Sequence, residues 1–184
     1  MAIWEIRPGD GQGRPVVVSS DKQDMRDRVF VTDGTPRDWA HRPPVELYTR
    51  APKSKQREPA NVMPFAAGTF VLDAKARAAI GGFLSRFGQL LELHKTPDGE
   101  TLYMFNCTNL VDCLDLGRTE TTEDGRIKLE AIDESKVPVD AAVFKAPQTA
   151  RVRNYVNDAA KAVIEQWAGE AGLTGIEIAV LDTI

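Results

Sequence analysis

The side chains best suited to chemistry in this chain are two cysteines and a histidine. Cys107 and Cys113 lie six positions apart, and His94 lies upstream in a predicted hairpin. A cysteine beside a histidine can act as a nucleophile, because the imidazole takes the proton from the thiol. No nucleophile elbow surrounds these residues, and cysteines in strands are most often small buried apolar groups. We therefore predict that the protein is not an enzyme, and keep a small thiol enzyme using Cys107 and His94 as the alternative.

A metal centre would draw on the same residues together with Asp112 and Asp115. The chain has only two histidines, His41 and His94, and neither Cys-x-x-Cys nor His-x-x-x-His spacing occurs. Such spacings are typical of protein metal sites. The glycine-rich stretch at residues 9–13 lacks the Lys-Ser/Thr pair of a phosphate-binding loop and is predicted to be a turn. The sequence thus predicts no metal and no cofactor.

Acidic side chains are concentrated between residues 112 and 134. The net charge is −4: residues 1–60 carry +2 (11 Lys and Arg against 9 Asp and Glu) and the remainder carries −6 (12 against 18). A surface of one sign speeds association with a partner of the other sign. We predict that this acidic cluster occupies a basic groove on a partner, the alternative being an ordinary solvated hairpin. The cluster consists of Asp112, Asp115, Glu120, Glu123, Asp124, Glu130, Asp133 and Glu134.

Trp39 is a second candidate contact residue. It lies in a polar loop between Arg37-Asp38 and His41-Arg42. An exposed tryptophan beside arginine has the composition of an interface hot spot. The same residue could instead anchor its loop to the core, and the sequence leaves both readings open.

The most basic stretch of the chain contains Arg50, Lys53, Lys55 and Arg57. A protein that binds single-stranded nucleic acid interleaves such cations with aromatic side chains. No aromatic residue lies between Arg50 and Arg57, so a solvated loop is the simpler interpretation. We predict no nucleic-acid partner, and keep a nucleic-acid-binding accessory protein as a further alternative.

The last part of the chain predicts a capped helix followed by a strand. Asn157 is a suitable N-cap with Asp158 in the first turn, and Gly172 stands where a left-handed residue ends a helix. After Gly175, residues 176, 178 and 180 are apolar and would share one face of a strand. The helix carries a continuous apolar stripe, made of Ala160, Val163, Ile164, Trp167, Ala168 and Ala171.

Upstream, the pattern predicts another helix and two hairpins. The helix is capped by Asp73 and runs to about Phe87, with Gly81-Gly82 explained by close packing against a sheet. Residues 90–94 and 101–105 flank a Pro-Asp-Gly turn, which predicts a hairpin. We expect residues 106–116 to continue as a strand or near-strand, and further turns and strands are expected at residues 121–125, 127–131 and 142–144.

The first part of the chain is less regular. Residues 3–6, 28–31 and 45–48 are strand candidates, and six prolines interrupt residues 36–64. The whole predicts one α+β domain, residues 1–184: a mostly antiparallel sheet with two principal helices packed on it. Within it, residues 1–64 form a variable, proline-rich segment and residues 65–184 a core.

Several segments between about residues 65 and 182 carry a resemblance to a known family. They are Phe70-Val71-Leu72, the helix to Phe87, Leu90 to Leu93, Leu102-Tyr103-Met104-Phe105-Asn106, Phe144, Tyr155-Val156, the last helix and Gly172-Leu173-Thr174-Gly175-Ile176-Glu177-Ile178. In these segments the chain resembles immunity family eleven, formerly a domain of unknown function, whose members accompany bacterial polymorphic toxins, including type VI secretion effectors. The resemblance implies a protein that binds and neutralises a cognate toxin encoded by a neighbouring gene, as part of interbacterial competition. It does not transfer contact residues.

The cellular location follows from what the chain lacks. Residues 1–7 contain neither a basic n-region nor an apolar h-region of a signal peptide. No apolar run approaches the roughly 20 residues needed to cross a bilayer. The sequence therefore predicts a cytoplasmic protein with no membrane partner.

Overall fold

The computed structural model describes residues 2–9, 11–39 and 41–181. These residues form three α-helices and twelve strands, a mixed α+β architecture as predicted. The helices are α1 (Lys22–Arg26), α2 (Ala74–Leu84) and α3 (Asp158–Glu170). The strands are β1 (Ile3–Pro8), β2 (Val16–Ser19), β3 (Pro44–Tyr48), β4 (Val62–Pro64), β5 (Phe70–Leu72), β6 (Gly88–Lys95), β7 (Thr101–Cys107), β8 (Glu120–Thr121), β9 (Ile127–Leu129), β10 (Val143–Phe144), β11 (Tyr155–Asn157) and β12 (Ile176–Val180).

The strands form two main sheets and one small hairpin. The first sheet has the order β10-β11-β1-β12, the second has the order β2-β3-β6-β7-β5-β4, and β8 pairs with β9 alone. Every strand pair is antiparallel except β3 with β6. The prediction of a mostly antiparallel α+β fold is confirmed, although the strands divide into separate sheets.

Strand β1 lies between two strands from the far end of the chain. Glu5 is opposite Tyr155 on one side, and Trp4 is opposite Val180 on the other. The first sheet therefore needs residues 3–8 at its centre. The N-terminal segment also supplies β2, β3 and β4 to the second sheet.

Helix α3 begins and ends as its sequence predicts. The Asn157 side chain accepts a 3.0 Å hydrogen bond from the Ala160 amide, which satisfies one of the unpaired donors of the first turn. Gly172 has φ +60°, and the Leu173 amide donates to the Ala168 carbonyl at 2.9 Å, which closes the C-terminus. One residue of the predicted apolar stripe is not in the core: Trp167 is 38% exposed, and its ring makes a T-shaped contact with Phe83 at 5.9 Å.

Helix α2 is shorter than predicted. Asp73 caps it by accepting a 2.8 Å hydrogen bond from Ala76, but the helix ends at Leu84, and Gly88 begins β6. A Cβ on Gly81 would lie 3.1 Å from Leu90 of β6, so close packing explains this glycine. A Cβ on Gly82 would meet nothing within 4 Å, so close packing does not explain Gly82.

A single apolar cluster joins both main sheets to both longer helices. Ile6 and Val156 of the first sheet meet Leu72 and Phe105 of the second, with Ala76, Ile80, Ala160 and Ile164 from the helices. The other face of the first sheet is covered by Cys113, Leu114 and Val137. The other face of the second sheet packs on Phe30 and Trp39.

The fold differs from the expectations in two other segments, and three short elements were not predicted. Residues 28–31 form no strand, because the chain turns there and Arg28 has φ +55°. Residues 106–116 were expected to continue as strand or near-strand, but the regular strand ends at Cys107, and beyond it Leu110 and Leu114 form isolated bridges. Helix α1 and the short strands β2 and β4 were not predicted, since runs of three to five residues carry almost no periodic signal.

Candidate partner-binding surface

Residues 108–142 connect β7 to β10, and most of the predicted contact residues lie there. This connecting segment is fixed at its base by backbone hydrogen bonds. The Val111 amide donates to the Lys145 carbonyl at 2.8 Å, and the Asp115 amide donates to the Ala131 carbonyl at 2.8 Å. The Asp133 amide donates to the Cys113 carbonyl at 2.8 Å. The β8–β9 hairpin therefore stands on an ordered base formed by the same segment.

The tip of the hairpin is charged but not acidic overall. Glu120, Glu123 and Asp124 are all exposed. Lys128 lies 3.4 Å from Glu120, and Arg126 lies 3.0 Å from Asp124. Together with exposed Arg118, residues 118–128 carry three cations and three anions. The tip thus carries charges of both signs and no net charge.

The other carboxylates of the predicted cluster, apart from Glu130, lie near the base of the segment. Asp112 is exposed and accepts a 3.0 Å hydrogen bond from Gln148. Asp115 is half-buried and accepts a hydrogen bond from the Gly117 amide at 3.0 Å, so it orders a turn. Asp133 accepts a hydrogen bond from the Ser135 hydroxyl, which, with nearby Lys136, lowers the pKa of its carboxyl. Glu134, next to it, is exposed.

Glu130 does not belong to this surface, and its predicted role as a contact residue was wrong. It is 2% exposed, and its carboxylate accepts a 2.8 Å hydrogen bond from the Tyr155 hydroxyl. Arg153 Nε lies 2.9 Å from the other oxygen without pointing its N–H at it, so this contact is an ion pair rather than a hydrogen bond. Burial raises the pKa of Glu130, and the contacts with Tyr155 and Arg153 only partly offset this effect.

The connecting segment also exposes apolar side chains, which the sequence analysis did not single out. Leu110 is 45% exposed, Leu116 61% and Val139 86%. Leu116 directly follows Asp115, and Val139 directly precedes Asp140. Single exposed apolar side chains are normal on protein surfaces. These three are candidates for partner contacts because they lie in the same segment as the predicted carboxylates. They lie in irregular backbone, so no periodic pattern in the sequence could predict that they are exposed.

Trp39 is a loop anchor in this structure. It is half-buried, its ring meets the edge of Phe30 at 6.0 Å, and its Nε1 is buried without a hydrogen-bond partner. It belongs to the cluster on the outer face of the second sheet, whereas the connecting segment packs on the first sheet. Of the two sequence readings, packing onto the core is the one that the contacts favour.

The structure does not bring Cys107 and His94 together. On the paired strands β6 and β7, Cys107 is opposite Gly88, and His94 is opposite Thr101. Six residues along a strand separate the two positions, about 20 Å. Cys107 is fully buried, and burial raises the pKa of its thiol to about 11. The alternative thiol site built from these two residues is therefore wrong.

The second cysteine is no better placed. Cys113 is fully buried, and burial raises the pKa of its thiol to about 11 as well.

Among residues 2–9, 11–39 and 41–181, no group of three or more His, Cys, Asp or Glu side chains is arranged to hold a metal ion. Within the same ranges, no helix has the length and apolar character needed to cross a membrane.

Lys145 is an interior cation that sequence reasoning missed. It has no exposed surface, and its Nζ donates to the carbonyls of Gly68 at 2.8 Å and Ala150 at 2.5 Å. The hydroxyl of Thr32 lies at 3.4 Å. Burial lowers the pKa of the amine to about 8. Lys145 thus joins three separate loops from within, and no part of it is accessible to a partner.

The basic stretch forms part of a larger cationic face. Lys53 and Lys55 lie in a short 3₁₀ turn, and Arg50 and Arg57 flank it. The fold adds Arg14, which lines one hollow together with Arg50 and Tyr48. Tyr48 is 49% exposed, so an aromatic ring does accompany these cations in space although none lies between them in sequence.

No protein-family model matches the chain, and no curated protein does. The resemblance of residues 65–182 to the immunity family therefore stays a prediction from the residues themselves.

Proposed function

We propose that this protein is an immunity protein that binds a cognate bacterial toxin in the cytoplasm and neutralises it by covering its active site. One observation carries the proposal. The connecting segment, residues 108–142, exposes Leu110, Leu116 and Val139 among its carboxylates while hydrogen bonds order its base. The resemblance of residues 65–182 to immunity proteins supports the same role.

The composition of this surface indicates the kind of partner that fits it. Apolar side chains bury area and supply affinity, whereas the carboxylates select a partner of opposite charge and speed its approach. The base of the segment carries Asp112, Asp115, Asp133 and Glu134, while the hairpin tip is balanced. A toxin with a basic substrate groove and an apolar rim would match this arrangement.

Binding without turnover is consistent with the placement of the reactive side chains. Cys107 and Cys113 are buried with thiols of raised pKa, and His94 lies at the opposite end of its strand pair from Cys107. Neutralisation would then be stoichiometric, with one immunity protein occupied for each toxin molecule.

The test is to express the protein together with the product of the neighbouring gene. The expected result is a stable complex on size-exclusion chromatography and survival of cells that otherwise die when the toxin is produced. An immunity protein of the same family with a different connecting segment provides the matched control and should not protect. A pair that elutes separately, together with unprotected cells, overturns the proposal.

A second candidate function is binding of single-stranded nucleic acid by the cationic face. The observation that favours it is the exposed ring of Tyr48 beside Arg14 and Arg50, since bases stack on aromatic rings while cations hold the phosphates. A fluorescent oligonucleotide should then bind with an affinity that falls steeply with salt. Replacing Tyr48 by Ala should weaken binding at every salt concentration, and unchanged binding would exclude this candidate.

A further inference from the structure

A mainly apolar hollow opens on the outer side of the second sheet. Its cavity volume is about 540 Å³. Val17 and Phe30 contribute buried apolar surface, and Met25 and Val152 are 60% and 56% exposed. It shares no lining residue with the connecting segment. The lining consists of Val17, Val18, Ser19, Met25, Arg28, Phe30, Val31, Phe65, Ala66, Ala67, Arg151 and Val152.

Two arginines give this hollow a positive charge. Arg28 and Arg151 both line it, and both are exposed. Within the described part of the chain, neither forms an ion pair with a carboxylate. None of the described aspartates and glutamates lines the hollow. The cations are therefore available to an anion that enters from solvent.

The backbone at one of these arginines is strained. Arg28 has φ +55°, and it is the only non-glycine residue with a positive φ among those described. Its amide lies 3.3 Å from the Met25 carbonyl, which closes the turn after α1. Strained residues persist where the surrounding structure holds them, and they are common where side chains clamp a ligand.

We propose that this hollow binds a small amphipathic carboxylate, with its apolar tail against Val17, Phe30 and Phe65 and its carboxylate between Arg28 and Arg151. The volume lies within the roughly 300–1,000 Å³ of small-molecule sites. A lining of apolar side chains with a few cations is typical of such sites, and arginine is well suited to carboxylates. This site is separate from the proposed toxin-binding surface.

The test is a pair of ligands with the same tail and opposite charge. Decanoate and decyltrimethylammonium are titrated into the full chain by calorimetry. Decanoate is expected to bind with one-to-one stoichiometry and at least tenfold more tightly than the cation. Labelling the methionine methyl groups with ¹³C locates the site, because Met25 lines the hollow whereas Met63 and Met104 are buried. The Met25 resonance should move furthest.

Three variants separate the apolar and charged contributions. Ala67→Trp places a large ring at an exposed lining position and should abolish binding of both ligands. Arg28→Gln combined with Arg151→Gln should remove the tenfold preference for decanoate. Arg118→Gln, an exposed arginine outside the hollow, is the control and should leave the preference intact. Thermal unfolding confirms that each variant is folded. If the double variant does not fold, the single variant Arg151→Gln takes its place.

The outcomes that overturn the proposal are equally specific. The proposal is overturned if decanoate leaves the Met25 resonance unmoved. It is also overturned if decyltrimethylammonium binds as tightly as decanoate. A Met25 resonance that responds only to the toxin protein assigns the hollow to protein docking instead. Because none of these readouts depends on toxin neutralisation, the two proposals stand or fall separately.

Discussion

The hydroxyl of Tyr155 donates a 2.8 Å hydrogen bond to the Glu130 carboxylate, joining β11 to the residue that follows β9. The same hydroxyl lies 2.6 Å from that of Thr149. Glu130 is ion-paired with Arg153, which also donates to Glu5 at 2.9 Å. The base of the connecting segment is thus attached to the first sheet through a polar network whose central members, Glu130 and Tyr155, are buried.

Replacing Glu130 by Ala should destabilise the fold. Removing the buried carboxylate takes one partner from Tyr155 and one from Arg153, although Tyr155 keeps Thr149 and Arg153 keeps Glu5. The expected cost is about 1–3 kcal/mol, which for a chain of this length lowers the melting temperature by about 2–12 °C. Glu130→Gln should cost less, because it keeps an acceptor for Tyr155 and removes a charge that burial disfavours. Urea unfolding gives the free energies.

The matched control is Glu123→Ala at the exposed hairpin tip, which should change the free energy of unfolding by no more than about 0.5 kcal/mol. If Glu130→Ala and the unmodified protein unfold at the same urea concentration, the polar network around Glu130 contributes nothing to stability.

Lys145 predicts a pH dependence in the alkaline range. The pKa of its amine is about 8 in the folded chain and 10.5 as the unperturbed value, so the unfolded state holds more of this proton between those values. The free energy of unfolding contributed by this group therefore rises with pH across that window, by roughly 3 kcal/mol. Lys145→Met lacks the titration, so the unmodified protein should gain stability relative to it.

Urea unfolding at several pH values between 7 and 10 measures this difference. Lys22→Met, at an exposed lysine of α1, is the control. A difference between the unmodified protein and Lys145→Met that stays constant over this range contradicts the prediction.

Both cysteines should be inert while the protein is folded. Cys107 and Cys113 are fully buried, and their thiols have pKa values of about 11. An aromatic disulfide reagent at pH 8 should therefore modify them only at the rate of unfolding, and release two equivalents of thiolate at once in denaturant. Rapid reaction of one thiol in native buffer would revive a reactive-thiol function.

Charge reversal at the hairpin tip should slow association with the toxin. Glu123→Lys with Asp124→Lys changes the local charge by +4, and the association rate should fall about tenfold at low ionic strength. The difference should shrink at high salt, because exposed charges are screened. Glu165→Lys with Glu170→Lys on α3 applies the same charge change elsewhere. Equal slowing by both pairs would show that net charge, and not this surface, governs the encounter.

The sequence predicted those parts of the fold whose determinants are local. Asn157, Asp73 and Gly172 cap helices through neighbours three to five residues away, and these helix ends could be predicted. The surroundings of Glu130 could not, because its partners Arg153 and Tyr155 lie more than twenty residues along the chain. The sequence around an acidic residue in this cluster looks the same whether its side chain is exposed to water or buried in the interior.

The candidate surface was predicted in part for the same reason. A cluster of carboxylates is visible in the sequence, and seven of the eight keep some exposure. The cations that balance the hairpin tip are also visible, but their pairing depends on the register of β8 against β9. The exposure of Leu116 and Val139 depends on the path of an irregular backbone, which no periodicity encodes.

The central position of β1 has a consequence for synthesis on the ribosome. Its two neighbours, β11 and β12, are made only after some 150 further residues have emerged. Until then, both edges of β1 lack their hydrogen-bonding partners, a state in which strands can pair wrongly with other chains. Completion of the first sheet therefore has to wait for the synthesis of β11 and β12.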